Sequence, residues 1–154
     1  MFDKYTSFLH EYQRRESIEI KVGNLSIGGK QPIRIQSMTT VDTMDTLGSV
    51  EEIIRMVDSG CEIVRLTAPS IKEADNLLNI KKELIKRGCE VPLVADIHFT
   101  PNAAEVAARH IEKVRINPGN YVDKKKFEII EYDDASYAEE IIKIKERFSP
   151  LVNI

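Results

Sequence analysis

Cysteine is scarce in this chain: Cys61 and Cys89 are the only two. They are too few and too far apart for a zinc box, a CxxC redox pair or a four-cysteine cluster site. Any metal would have to be ligated elsewhere. Long apolar runs are also missing, and nothing approaches the roughly eighteen residues of a membrane span. Met1 to Arg15 mix charges with aromatics, unlike a signal peptide, so the expected address is the cytoplasm without membrane attachment. A basic excess is lacking too: 22 Lys and Arg stand against 25 Asp and Glu, a formal charge of -3. That balance argues against a general nucleic-acid binder. The one tight basic run, Lys124, Lys125 and Lys126, is followed by Glu128, Glu131, Asp133 and Asp134, and reads as a solvated loop.

What is present suits one soluble domain, since 154 residues with 42% hydrophobic content can bury a real core. The chain alternates helical stretches with short apolar strands, the pattern of βα units building a parallel sheet. Gly60 and Gly88 each join a helical stretch to a strand and suit left-handed C-caps. Ser49/Glu52, Ser70/Glu73 and Ser136/Glu139 have capping-box spacing and predict three helix starts. After the first, Val50, Ile53, Ile54 and Val57 share a face; after the second, Ile71, Ala74, Leu77, Leu78, Leu84 and Ile85 do. Thr100-Pro101 opens an Ala-rich helix ending near His110. The last helix, with Ile141, Ile142, Ile144 and Phe148, is expected to stop at Ser149-Pro150.

Four parallel strands are expected at Ile33–Ile35, Ile63–Val64, Val91–Ala95 and Val114–Ile116. Upstream, residues 18–31 read as a β-hairpin turning at Gly23-Asn24 and closing one barrel end. Residues 1–17, with Phe2, Tyr5, Phe8, Leu9 and Tyr12 at helical spacing, read as an amphipathic helical extension. Residues 32–154 then make the first half of a parallel β/α barrel of the TIM type. The apolar tail Leu151-Val152-Asn153-Ile154 suggests a chain truncated before the later strands.

Polar residues collect after each strand, where parallel β/α folds place their ligand groups. They are Gln36-Ser37-Met38-Thr39-Thr40, Arg65-Leu66-Thr67, Asp96-Ile97-His98 and Arg115-Ile116-Asn117-Pro118-Gly119-Asn120. A guanidinium at the end of a buried strand needs an anionic partner. Two readings of Arg65 and Arg115 stand side by side. They bind a phosphorylated small molecule, helped by neutral donors from Asn117, Asn120 and the backbone at Gly119, or they pair internally with Asp96. His98, two residues beyond Asp96, is placed as an acid/base or orienting partner, or simply as a polar group satisfying the strand end. His10 and His110 are assigned to surface or helix end, and Cys61 and Cys89 to small buried hydrophobes.

Val22-Gly23-Asn24, Pro32-Ile33 with Gln36-Ser37-Met38-Thr39, Ile63-Val64-Arg65, the run Pro92 to Phe99 and the run Arg115 to Asn120 carry a resemblance. In this order they resemble the 4-hydroxy-3-methylbut-2-enyl diphosphate synthase family over Ile18 to Asn120. That family reductively opens 2-C-methyl-D-erythritol 2,4-cyclodiphosphate in the methylerythritol phosphate route to isoprenoid precursors. The resemblance implies a barrel that holds the substrate diphosphate and a separate domain carrying a four-iron, four-sulfur (4Fe-4S) cluster. It implies a dimer in which one subunit's cluster domain closes over its partner's barrel, with ferredoxin or flavodoxin as electron donor. By motif, Arg65, Arg115 and Asn117 resemble its diphosphate ligands, and Gln36, Ser37, Met38, Asp96 and His98 line the same mouth. The charged segment Tyr121 to Phe148 resembles the larger form, which has an inserted domain. This chain has neither the later strands nor the cluster cysteines, so it is expected to be inactive alone and to self-associate through its open edges. A different phosphate- or pterin-binding barrel synthase, and a non-catalytic half-barrel module, remain as alternatives.

Overall fold

In the computed structural model, which describes residues 16–122 and 131–154, the chain begins with an antiparallel hairpin and continues as four β/α units. Strands β1 (Ile20–Val22) and β2 (Leu25–Ile27) form the hairpin, and Val22 pairs with Leu25. Strands β3 (Gln36–Met38), β4 (Ile63–Thr67), β5 (Leu93–Ile97) and β6 (Lys113–Ile116) form one parallel sheet in sequence order. The helices are α1 (Thr46–Asp58), α2 (Ile71–Lys86), α3 (Pro101–Ala108) and α4 (Asp134–Val152). The sequential parallel order is that of a barrel half, as expected. The expected N-terminal helix and Lys124 to Lys126 lie outside the described residues.

Period-two alternation gives the sheet two different faces. Val64, Leu66, Leu93, Ala95 and Ile97 join the helix-side core with Val50, Ile53, Leu77, Ile80 and Leu84. The alternate positions, including Arg65, Thr67, Asp96, Lys113 and Arg115, belong to the opposite face, which in a β/α barrel is the lumen. Gly60 and Gly88 have φ of 96° and 76°, the left-handed turns that let each helix end and the next strand begin.

The hairpin lies across the N-terminal end of the sheet. A Cβ on Gly23 would stand 3.2 Å from both Pro92 Cγ and Glu112 Cγ, just before β5 and β6. On the other side, Arg34 Nε donates to Ser26 O at 3.1 Å. The expected closure of one barrel end is therefore present.

Several boundaries differ from the sequence expectation. The first strand is Gln36–Met38, not Ile33–Ile35, and Ile33 is 92% exposed. Ile35 N donates to Glu62 Oε2 at 2.8 Å and Arg34 pairs with Glu62 at 2.9 Å, while Ile35 O accepts from Glu62 N at 2.9 Å, so one side of Ile35 leaves the ladder for a side chain. The second and third strands run on through Arg65, Thr67 and Asp96, which lie within strands instead of following them.

Helix boundaries shift for equally local reasons. Helix α1 is capped by Asp45, whose carboxylate accepts from Gly48 N at 3.0 Å; Ser49 is buried inside the first turns. Ser70 and Glu73 do form a capping box. The α4 box is Asp133 with Ser136, three residues before the expected start. That helix also passes through Pro150 to Val152, because Leu151 packs against the core beyond the proline. Ile71 and Ile85 of α2 are about half exposed, while Ile80, absent from the expected face, is fully buried. Asn76 of α2 bolts the layer together, donating to Thr43 O at 2.7 Å.

Leu77→Ala should cost about 2–5 kcal/mol, the range for emptying a closed core site. Ile85→Ala should change stability by less than about 1 kcal/mol, since about half of the residue is exposed and little buried area is lost. Urea unfolding of the two variants measures both, and equal losses would contradict this placement of the α2 face.

Candidate active-site mouth

Asp96 occupies the central strand β5, every residue of which is buried, and is itself 1% exposed. Its register partners are Thr67 on β4 and Arg115 on β6. Arg115 Nη1 donates to Asp96 Oδ1 at 3.0 Å, and Arg65 Nη2 donates to Asp96 Oδ2. Burial of a lone carboxylate is costly, and the two guanidiniums supply the charge that offsets it. His98 lies just past β5 with Nε2 3.7 Å from Asp96 Oδ2, and its ring stands 5.9 Å from that of exposed Phe99.

The internal-pairing reading of the arginines is thus what the side chains do, and it does not exhaust them. A guanidinium carries five N–H donors. Each arginine gives Asp96 one nitrogen, and Arg65 Nε is buried with no partner. Two cations share one carboxylate at the C-terminal end of a parallel sheet, where ligands of such folds bind. Asn117 adds a neutral donor. Its Oδ1 accepts from Gly119 N at 3.1 Å, and its Nδ2 has no bond among the described residues.

The fold brings Arg65, Asp96, Arg115 and His98 together, with Asn117 one residue beyond β6 and Met38 beside Arg65 in register. Gln36 pairs with Ile63, one lumenal layer below Met38 and toward the hairpin end. Ser37 is not at the mouth: it alternates to the other face and lines a cleft with Glu52, Arg55 and Met56 of α1. The physical reason is that Gln36-Ser37-Met38 form the strand itself, so neighbouring side chains must oppose each other.

The loop after β3 is held by a residue the sequence assigned to another job. Glu52 accepts from Thr40 N, from Thr40 Oγ1 at 2.8 Å and from Val41 N at 3.0 Å. Burial penalises its charge, but the Val41, Thr40 hydroxyl and Thr40 backbone donors, with nearby Arg55, outweigh that and hold its pKa below the usual 4.5. Thr43 Oγ1 ties the same loop to Thr67 O at 2.6 Å. Lys113 is the other residue that went unnoticed. The signal that marks it is its spacing of two from Arg115, which puts both on the lumenal face.

The site does not fit a metal cluster. Among the described residues no group of three or more His, Cys, Asp or Glu could hold a metal ion. Cys61 donates its thiol to Ile63 O at 3.0 Å, and both cysteines stand before β4 and β5, at the opposite end of the strands from Asp96. Nor, among the described residues, is any helix long and apolar enough to cross a membrane.

A basic mouth on half of a β/α barrel defines a class, and residues 17–144 match the family model described as the GcpE TIM-barrel domain. The chain belongs to that family. It is 55% identical over 152 residues to 4-hydroxy-3-methylbut-2-en-1-yl diphosphate synthase (flavodoxin) of Akkermansia muciniphila, covering 99% of this chain and 26% of that protein. The similarly named synthase of Leptospira interrogans is 55% identical over 149 residues, covering 97% of this chain and 22% of the relative. That of Protochlamydia amoebophila is 56% identical over 150 residues, covering 97% and 23%. The chain therefore spans about a quarter of the length of the curated relatives it matches.

Glu52→Gln should lower stability near pH 7 by about 1–2 kcal/mol, because an amide cannot accept all of these bonds. A lowered folded pKa stabilises above the unfolded value and loses that stabilisation as pH falls through the folded one. The gap between variant and parent should therefore be full above the usual 4.5 and shrink below it. Thermal unfolding across that window reads it out; a gap that widens in acid would reverse the assignment.

Proposed function

We propose that this chain supplies the diphosphate-holding part of a 4-hydroxy-3-methylbut-2-enyl diphosphate synthase, acting on 2-C-methyl-D-erythritol 2,4-cyclodiphosphate. The observation that carries it is the convergence of two guanidiniums on one buried carboxylate, with donors left over and positive charge unmatched. Arg65 and Arg115 hold the phosphate oxygens, each through the nitrogens that Asp96 leaves free. Asp96 keeps both forks in place, and the Asn117 amide contributes a neutral donor. Met38 forms an apolar wall beside Arg65. His98, at the rim, is placed to hold or move a proton on Nε2.

Reductive opening of the ring consumes two electrons, which none of these side chains can store. The 4Fe-4S cluster of the family would supply that redox chemistry from residues outside this chain, so the chain alone binds without turning over. The names of the relatives specify flavodoxin, and a flavodoxin donor is proposed for the whole enzyme, in the cytoplasm. The larger, insert-bearing form is the proposed subgroup.

Inorganic diphosphate and the cyclic diphosphate should both stabilise the chain through linkage. Arg65→Ala and Arg115→Ala should each abolish the thermal shift and the calorimetric signal. Unchanged stabilisation in both variants would remove the site.

The open sheet also favours association of this chain with itself. Among the described residues both edge strands, β3 and β6, lack an outer neighbour, and Tyr137, Ile141 and Ile142 of α4 are exposed. Light scattering should find a dimer, and a strictly monomeric, cooperatively folding species would contradict it.

A further inference from the structure

Lys113 is half-buried on β6 and forms no ion pair or side-chain hydrogen bond among the described residues. Its neighbour Glu112 cannot serve it. That carboxylate faces the other way, taking Lys81 Nζ at 2.7 Å and Leu93 N at 2.9 Å. Register places Lys113 opposite Val94, and Arg65 opposite Val94 on the other side, so the two cations flank one buried valine in the same lumenal layer. Two strand spacings put their Cα atoms about 10 Å apart, close enough for both long side chains to reach one small ligand. Arg115 stands in the next layer toward the mouth.

The charges in these two layers do not balance. Arg65, Arg115 and Lys113 bring three positive charges, and Asp96, the one carboxylate among them, brings a single negative charge already shared by the arginines. Like charges gathered on one face of the sheet repel one another and favour a bound counter-charge.

We infer, resting on the diphosphate reading above, that Lys113 is a third cationic ligand of the site and sets its preference for an anion with at least two negative charges. The lysine is a mobile point charge on a flexible stem, whereas the arginines are fixed forks. It therefore adds charge selection to an orientation that the arginines already set. A singly charged phosphodiester has little use for it.

The test compares calorimetric titrations of the chain with inorganic diphosphate and with dimethyl phosphate, which carries one charge, for the parent, Lys113→Met, Lys113→Arg and Arg65→Ala. Lys113→Met should weaken diphosphate about tenfold, the low end for a charge-assisted contact, and leave dimethyl phosphate unchanged. Lys113→Arg should restore diphosphate binding, which a packing role for the stem alone would not require. Circular dichroism melts confirm folding; if Lys113→Met fails to fold, Lys113→Gln takes its place. Diphosphate affinity that survives Lys113→Met but is lost in Arg65→Ala overturns the role of Lys113 and leaves the diphosphate site standing. Equal weakening of both anions overturns the charge-selection role. Absence of diphosphate binding by the parent overturns both readings for this chain.

Discussion

The carboxylate of Asp96 is the point around which the mouth is organised. It sits on the most buried strand of the sheet and draws a guanidinium from each neighbouring strand, linking β4, β5 and β6 at their C-terminal ends. An ion pair in so dry a place contributes little net stability, because desolvation consumes most of the attraction. Its value lies in position. With Asp96 between them, two arginines that would otherwise repel are held close, and both keep donors facing the lumen.

The surrounding layers make that arrangement possible. On the helix side, aliphatic residues of β4 and β5 meet α1, α2 and α3 in a single core, which sets which face each strand residue takes. The hairpin covers the N-terminal end of the sheet, at the opposite end of the strands from the charged cluster. Loops after the strands are tied down by side chains from the helices, Glu52 to Thr40 and Val41, Asn76 to Thr43. A ligand would meet a preformed surface, which lowers the ordering cost of binding.

Family membership and geometry address different questions here. The family match says which domain the chain belongs to, and the chain covers about a quarter of the synthases it resembles. The geometry says which part of the work these residues can do: hold a small anion at a basic mouth. It offers no ligand set for a cluster among the described residues.

Much of this was legible in the residues. Ser70 with Glu73 capped a helix as their spacing implied, Thr100-Pro101 opened one, and Gly60 and Gly88 turned as expected, because each depends on atoms a few bonds apart. Alternating βα pattern and parallel order followed from local periodicity as well. Other assignments depended on partners far along the chain. Glu52 had capping spacing to Ser49, but the free backbone donors of Thr40 and Val41 claimed its oxygens. Ile33 and Ile35 had the pattern of a strand, but the carboxylate of Glu62, distant in sequence, took the N–H of Ile35. Gln36, Ser37 and Met38 were expected to line one mouth, and strand register sends Ser37 to the helix side. The sequence by itself determined the helices, the strand order and the residue types gathered at the strand ends, since these are set by short-range bonding and hydrophobic period. Only the tertiary structure decided that Arg65 and Arg115 share Asp96 and that Lys113 stands in the layer beneath, because register between strands is fixed by packing across the whole sheet.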